Sequence, residues 1–338
     1  MSLMQTDVSL KDFNTFGIDV NAKFFVEINN EADLATLFAN PIVQNEKLLI
    51  LGGGSNMLFT ENFNGLVIKV SIPGISYQEK GDEVIVTAGA GVVWNEFVNY
   101  CLAHGFAGVE NLALIPGTVG ASPIQNIGAY GVELKDVFDS CSAFEMATGL
   151  MKTFSYKDCN FGYRESVFKG EQKGKYIITA VVFKLNKQAQ LKTQYGAITT
   201  ELVNRQLTEP TIADIAEVVS AIRVSKLPDP KTIGNAGSFF KNPVIPQSLF
   251  DTLVAKFPEV VNYPAPNDKV KLAAGWLIEQ CGFKGLVAGN TGTWKNQALV
   301  LVNHGGATGQ EVYNFSEHII ETVFNKFGIK LEREVNIL

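Results

Sequence analysis

Hydrophobic and polar positions along this chain follow two periods, near 2 and near 3.6 residues, and the switches between them mark its elements. Phe24–Ile28 reads as a strand. From Glu31 to Asn40 the residues Leu34, Leu37 and Phe38 fall on one helical face. Leu48–Leu51 is a short apolar run ending in Gly52-Gly53-Gly54, and Gly65–Val70 is a further strand. Glu83–Ala88 predicts a strand, followed by Gly89-Ala90-Gly91 and a helix from Val92 to His104 that Gly105 stops. Ser142–Met146 and Tyr176–Leu185 are strand-like. Thr211, with Asp214 three residues on, predicts a helix start, with Ile212, Ile215, Ala216, Val219 and Ile222 as its core face and Pro228 beyond its end. A helix over Val270–Gln280 ends at Gly282. A strand follows at Ala298–Asn303, and Thr308 with Glu311 predicts the start of a long helix to Phe327. A last strand is expected over Ile329–Ile337. Helices and strands mix without strict alternation, which predicts an α+β chain of more than one domain.

The chain has 338 residues, enough for two domains or three small ones. Hydrophobic residues make up 46% and charged residues 18%, so the sequence is neither disordered nor highly solvated. The net charge of −6 argues against a general nucleic-acid binder. Cys101, Cys141, Cys159 and Cys281 form no Cys-x-x-Cys pair, and scattered thiols suggest a reducing compartment. With only His104, His304 and His318, and none in a ligating spacing, no metal site is expected. No signal peptide or apolar run of membrane-spanning length is visible, so a cytoplasmic protein without a membrane partner is expected.

Two glycine-rich stretches carry candidate chemistry. In Gly52-Gly53-Gly54-Ser55-Asn56 a strand runs into residues whose amides can converge on one anion, although a plain tight turn is the commoner use of such a cluster. The second is a long loop containing Pro116, Gly117, Gly120, Ala121, Ser122, Gln125, Asn126, Gly128 and Gly131. A rigid loop of this length, rich in exposed amides and hydrogen-bonding groups, suits a dinucleotide diphosphate and a polar ring edge. Neither stretch is a Rossmann fingerprint. Gly89-Ala90-Gly91 follows a strand, but Trp94 stands where the third glycine belongs.

Ser238-Phe239-Phe240-Lys241 fits Ser-x-x-Lys but lacks the companion motifs of penicillin-interacting enzymes. Two glycines before Ser238 permit close approach of a ligand, and a hydroxyl delivers a proton to a carbanion-like centre when water is excluded. Arg223 and Lys226 share a helix face that suits phosphate, or that simply complements the helix dipole. Phe161-Gly162-Tyr163-Arg164 sets one guanidinium among aromatic rings, and alternation puts Glu332 and Glu334 on one face with Arg333 on the other.

Taken together, Asn14-Thr15-Phe16-Gly17, Gly52–Asn56, Pro116–Gly131, Phe161–Arg164, Lys226–Pro230, Gly234–Pro243, Lys271–Ile278 and Glu332–Val335 resemble the UDP-N-acetylenolpyruvoylglucosamine reductases of peptidoglycan synthesis nearly end to end. Gln194-Tyr195-Gly196 resembles the subclass whose substrate loop carries a tyrosine.

The resemblance implies a two-part FAD-binding region of the PCMH-type flavoprotein fold over 1–71 and 72–207. A separate α+β substrate-binding domain would cover 208–325, with a C-terminal strand over 326–338 returning to the active site. It implies that NADPH reduces noncovalent FAD, and that the flavin then reduces an enolpyruvyl ether on a UDP-sugar to a lactyl ether. Ser238 would donate the proton. Arg164 and Glu334 would hold the enolpyruvyl carboxylate, Glu334 either as a hydrogen-bond partner or as a protonated acid. The glycine loop Gly52, Gly53, Gly54, Ser55 and Asn56, with the Pro116–Gly131 loop, would cradle FAD. Tyr163, Tyr195, Arg223, Lys226, Asn242 and Gln297 would contact the UDP-sugar, and the chain is expected to be a monomer. Two other readings stand beside this one: a flavin oxidoreductase of the same fold with a different substrate, and a silent sugar-nucleotide-binding protein. The set Ser238, Arg164 and Glu334 argues against both.

Overall fold

The computed structural model describes residues 4–338, and the chain divides into two compact units. The first takes in the chain up to Val8, Ala22–Gly53 and Asn64–Arg223; the second takes in Ser9–Asn21, Gly54–Phe63 and Val224–Leu338. Each unit is therefore built from segments far apart in sequence.

The first unit carries two large sheets. One has the strand order Gln5–Ser9, Asn21–Ile28, Phe63–Val70, Leu48–Leu51, with the last two parallel and Leu51 opposite Lys69. Helix Glu31–Phe38 buries Leu34 and Leu37 in a core with Val26, Ile28, Leu66 and Ile68. Its start is fixed by Asn30, whose side-chain oxygen accepts from the Asp33 amide at 3.0 Å. The second sheet is antiparallel, in the order Met151–Ser155, Phe138–Glu145, Tyr176–Asn186, Glu83–Gly89, Ile75–Lys80. Its core centres on Trp94, Phe97 and Phe183, with the last two rings 4.3 Å apart. Helices Trp94–Ala103, Gly196–Asn204 and Ile212–Lys226 bury their apolar faces in that same core. On the last of these, Val218 is fully buried while Ile212 is only partly so, a small rotation of the expected face.

The second unit has a four-stranded sheet ordered Gly234–Ser238, Gln297–Asn303, Thr291–Trp294, Val287–Ala288. A three-stranded sheet runs Val244–Pro246, Lys269–Leu272, Asn262–Ala265. Helix Gly309–Phe327 buries Val312, Phe315, Ile319, Val323 and Phe327, and Gly328 ends it in the left-handed conformation at φ 70°.

Two expectations are corrected here. The helix expected over Val270–Gln280 is a strand, Lys269–Leu272, followed by a helix, Ala274–Gln280. Val270 and Leu272 are buried at a spacing of two, and this strand is paired on both sides. The strand expected over Ile329–Ile337 is reduced to Asn336–Ile337. Its backbone divides its hydrogen bonds between Phe239 and Lys241 on one stretch and Met57–Leu58 on the next, so no single ladder forms. The exposed edge strands Ile75–Lys80 and Met151–Ser155 were not expected, because almost nothing on them is buried and no alternation marks them. Among the described residues no helix is long and apolar enough to cross a membrane.

Three N-terminal boxes share one device: Asp158, Asp214 and Glu311 accept from the backbone amides of Ser155, Thr211 and Thr308 at 2.8, 2.7 and 2.7 Å. Hydrogen bonds from Ser155, Thr211 and Thr308 hold these carboxyls below their usual pKa. A folded pKa below the unfolded one gives stability that is complete above the unfolded value and is lost as pH falls through the folded value. A triple variant Asp158→Asn, Asp214→Asn, Glu311→Gln is therefore expected to unfold at lower urea than the parent at neutral pH. The gap should narrow as pH drops below about 4. Equal midpoints at neutral pH would show that the boxes contribute nothing.

Candidate active site

In the first unit the strand Leu48–Leu51 delivers Gly52 and Gly53 directly onto the second glycine-rich loop. A Cβ on Gly53 would lie 2.7 Å from the Gly117 Cα, and one on Gly52 would lie 2.7 Å from the Thr118 hydroxyl. The two loops thus meet backbone to backbone, and only glycine permits it. The far side of the loop is pinned to the five-stranded sheet, with the Val119 amide donating to Val92 O and Gly120 to Ala90 O, both at 2.9 Å. Gly89-Ala90-Gly91 is accordingly a packing seam, with Ala90 against Gly120 of this loop and the two glycines against the Ser71–Pro73 backbone.

Ser122 and Asn126 are buried, and their side chains set the path of the loop. Ser122 Oγ donates to Val119 O at 2.7 Å; Asn126 Nδ2 donates to Gly162 O at 2.9 Å, and Asn126 Oδ1 accepts from the Lys135 amide. The loop closes in a hairpin, Gly128–Ala129 against Val132–Glu133, whose two-residue turn is Tyr130-Gly131 with φ 48° and 83°. Both central residues have positive φ, as a two-residue hairpin of the type I′ kind requires, and Tyr130 stands at the tip. This tyrosine was not singled out from sequence. The signal was there in Gly-Ala-Tyr-Gly, a turn flanked by short extended residues.

Arg164 reaches this hairpin. It sits at φ 58° in a tight turn closed by Gly162 and Glu165, an unfavourable backbone for arginine, and its Nη2 donates to Gly128 O at 2.6 Å. Tyr195, largely exposed, meets Tyr130 edge-on with ring centres 5.4 Å apart. Arg223 lies in the same cluster. Burial lowers its pKa, the Tyr130 phenol opposes this, and the charge of Arg164 adds to it. Burial raises the Tyr130 pKa, and the Arg223 charge partly offsets that. Two guanidinium groups and two phenols thus share one patch, a donor set of the kind that carboxylates and phosphates pair with. Tyr163 lies beside Arg164, its ring centre 5.5 Å from the guanidinium carbon. Beneath the hairpin, Asn111 is buried and donates to Tyr130 O at 3.1 Å and Lys192 O at 2.8 Å, which ties the tyrosine-bearing loops together. Its Oδ1 has no hydrogen-bond partner among the described residues.

In the second unit Ser238 ends the strand Gly234–Ser238 after a bulge: Asn235 pairs with Val302 and Ser238 with Val300, so Ala236 and Gly237 oppose one residue. Gly237 has φ 68°, and its amide donates to Asn235 Oδ1 at 3.0 Å. A bulge at a strand end re-aims the side chain that follows it. Ser238 is exposed, while Phe239 and Phe240 after it are buried. The two rings therefore anchor the serine from within the core rather than lining its surroundings. The segment Phe13–Gly17 passes under this strand so closely that a Cβ on Gly234 would lie 2.1 Å from Phe16 O. The Asn235 amide donates to Thr15 O at 3.0 Å, and Thr15 N donates to Gly54 O at 3.1 Å.

Glu334 is brought beside this strand by its backbone. Its amide donates to Phe239 O at 2.9 Å, and Phe240 pairs with Arg333. Asn56 Nδ2 donates to Glu334 O at 3.3 Å, so a residue expected at the cofactor also straps the Glu334 main chain. Asn242 Oδ1 accepts from the Ala274 amide at 3.0 Å, at the start of helix Ala274–Gln280. A Cβ on Gly275 of that helix would meet Gln297 Oε1 at 2.7 Å, so Asn242 and Gln297 gather at one helix start. Lys226 is exposed, and Asn296, next to Gln297, donates to the carbonyl of Ser225 at 2.9 Å. Of the candidate residues, Arg164, Tyr163, Tyr195 and Arg223 thus belong to the first unit, and Ser238, Asn242, Gln297, Glu334 and Lys226 to the second. Burial raises the Cys101 thiol to about 12, with Glu110 adding to the shift, which makes it a core residue and not a nucleophile.

A family model described as an FAD binding domain matches residues 22–154, which places the chain among the flavoproteins. A second model, the C-terminal domain of UDP-N-acetylenolpyruvoylglucosamine reductase, matches residues 229–338. The UDP-N-acetylenolpyruvoylglucosamine reductase of Flavobacterium johnsoniae is 49% identical over 337 residues, covering 99% of both chains. That of Chromobacterium violaceum is 50% identical over 336 residues, 99% of this chain and 98% of its own. The crystal structure of UDP-N-acetylenolpyruvylglucosamine reductase from Thermus caldophilus has the same fold, with a TM-score of 0.68 at 23% identity over 99% of each chain. This chain belongs to the UDP-N-acetylenolpyruvoylglucosamine reductase family.

The contact between the glycine loops gives a test of the cofactor cradle. Gly53→Ala forces a methyl into the Gly117 backbone, which has no flexible end to yield. The variant is expected to bind FAD at least about tenfold more weakly, the effect of a loss near 1.4 kcal/mol. FAD fluorescence quenching measures this, with far-UV circular dichroism to confirm folding. Unchanged affinity in a folded variant would place the cofactor elsewhere.

Proposed function

We propose that this chain reduces UDP-N-acetylglucosamine enolpyruvate to UDP-N-acetylmuramate, using NADPH and FAD, in the synthesis of peptidoglycan precursors. Its family membership over 99% of its length supports the activity and the cofactor. FAD, once reduced by NADPH, supplies the hydride that the vinyl CH2 carbon accepts.

The chain's own residues must then manage charge and one proton. Hydride arrival at the CH2 carbon pushes electron density through the adjacent carbon into the carboxylate, giving an enediolate-like species. Cations or hydrogen-bond donors fixed in advance stabilise that charge without reorganising. Arg164, held at positive φ and braced on Gly128 O, is such a group. Glu334, with its main chain fixed by Phe239 and Asn56, is its counterpart at the carboxylate region, as a hydrogen-bond partner or as a protonated acid. Ser238 Oγ gives its proton to the carbon bearing the ether oxygen, which completes the lactyl ether. Its exposure leaves a path for solvent to restore that proton. Tyr195, Arg223, Lys226, Asn242 and Gln297, with Tyr163, hold the UDP-sugar. Gly52, Gly53, Gly54, Ser55 and Asn56, with the Pro116–Gly131 loop, hold the flavin noncovalently. The single observation that carries the proton-donor role is the bulge that turns Ser238 outward from a strand whose next residue carbonyl binds the Glu334 amide. The enzyme acts in the cytoplasm, as a monomer, on small molecules.

Ser238→Ala is expected to bind FAD and to be bleached by NADPH. Reoxidation of its flavin by the enolpyruvyl sugar should slow by roughly 10²- to 10⁴-fold, the usual worth of a placed general acid. Stopped-flow absorbance separates the two steps. Reoxidation at the parent rate would remove Ser238 from the mechanism.

A further inference from the structure

We propose that Arg333 is a positioning residue for Glu334: its guanidinium is clamped by Tyr313, Ser316 and Glu317 on the last helix, and this clamp sets the direction in which the Glu334 carboxylate leaves the main chain. The proposal rests on the reading of Glu334 as a group that holds the substrate carboxylate.

Four contacts carry it, all within the second unit. Arg333 Nε donates to Ser316 Oγ at 2.8 Å. Ser316 is fully buried, and its own hydroxyl donates to Tyr313 O at 2.6 Å, so the acceptor is fixed. Arg333 Nη2 lies 2.7 Å from Glu317 Oε1, an ion pair without the alignment of a hydrogen bond. The guanidinium carbon stands 4.5 Å from the centre of the Tyr313 ring. Three neighbouring residues on one face of Gly309–Phe327 therefore seize one side chain.

On the same face of this extended segment Leu331 and Val335 are buried, and the Arg333 clamp stands between them as the polar hold on that face, while Asn56 straps Glu334 O. The segment is not part of a continuous ladder: one bridge at Phe240 and Arg333, flanked by the amides of Lys241 and Glu334 donating to Glu332 O and Phe239 O, is its pairing with the Ser238 strand. A pairing this short leaves the facing of the segment to its side chains, of which Leu331, Arg333 and Val335 share one side. In an extended chain neighbouring side chains point to opposite sides, so fixing Arg333 on the helix side fixes the opposite direction for Glu334. Arg333 also carries the charge that holds Glu317 in place. The adjacent Arg333 guanidinium lowers the pKa of that carboxyl, and Tyr313 lowers it further. Arginine suits this role, because its rigid fork serves Ser316 and Glu317 together while its plane lies over a ring.

The test is a double-mutant cycle on the full-length, FAD-loaded protein, read as the rate of flavin reoxidation by UDP-N-acetylglucosamine enolpyruvate in stopped flow. Arg333→Ala is expected to slow reoxidation roughly ten- to a hundredfold, the scale of a small misplacement of a reacting group. The apparent KM for the sugar should change less than this rate. Glu317→Gln, which keeps the size of the partner, should give a smaller loss in the same direction. Arg333→Lys should recover part of the rate. In an Glu334→Gln background, Arg333→Ala should cost almost nothing further, because the group it positions is already gone.

Additive losses would overturn the proposal and leave Arg333 as a stability residue. So would parent-like reoxidation in a folded, flavin-loaded Arg333→Ala protein. If that variant fails to fold, Glu317→Gln in the parent and Glu334→Gln backgrounds carries the same test. Parent-like reoxidation by Glu334→Gln alone would instead sink the underlying role of Glu334, an outcome distinct from additivity.

Discussion

The backbone hydrogen bond from the Glu334 amide to Phe239 O is the constraint on which the second unit's functional geometry depends. It ties the last residues of the chain to the residue after Ser238, which the bulge has already turned outward. Everything nearby serves to keep those two stretches in place. Phe239 and Phe240 root the serine strand in the core, and Phe13–Gly17 runs beneath Gly234 at backbone contact distance. Asn56 holds Glu334 O, and the parallel pairing of Asn336–Ile337 with Met57–Leu58 secures the end of the chain. The first unit applies the same logic to a loop, where Gly53 against Gly117 and the buried Asn126 fix a path that side-chain packing alone would not.

The strands and helices with a buried face were legible because burial imposes a period. The helix to Phe327 with its Thr308–Glu311 start, the strand through Asn303 and the Tyr176 strand stand close to where their patterns put them. An edge strand such as Ile75–Lys80 was not legible, since no residue on it is fully buried and only Ile75 and Tyr77 touch the core side, too few to mark an alternation. Lys269–Leu272 was misread because Val270 and Leu272 precede an apolar helix, and together they imitate one longer helical face. The final segment was misread for another reason: its partners are chosen by tertiary contacts with two distant strands, which no local pattern encodes.

The candidate site was legible where it depends on backbone shape. Glycine clusters announce close approach, and the loops at Gly52 and Gly117 do approach closely. What sequence could not show is which polar side chains are spent inside the protein. Ser122 and Asn126 make hydrogen bonds within the protein that set the path of their loop, and no local pattern announces them. Tyr130 looks like part of a turn but stands in the two-arginine patch. Arg333 looks like a solvated charge between two acids, yet Tyr313, Ser316 and Glu317 of the last helix all contact it.

The central claim is that one chain carries both halves of a flavin-mediated transfer from NADPH to an enolpyruvyl ether. The most direct measurement is the visible spectrum of the anaerobic protein through two additions. NADPH should bleach the flavin band, and UDP-N-acetylglucosamine enolpyruvate should restore it in proportion to the sugar added. A flavin that bleaches with NADPH and stays bleached with excess sugar would contradict the account.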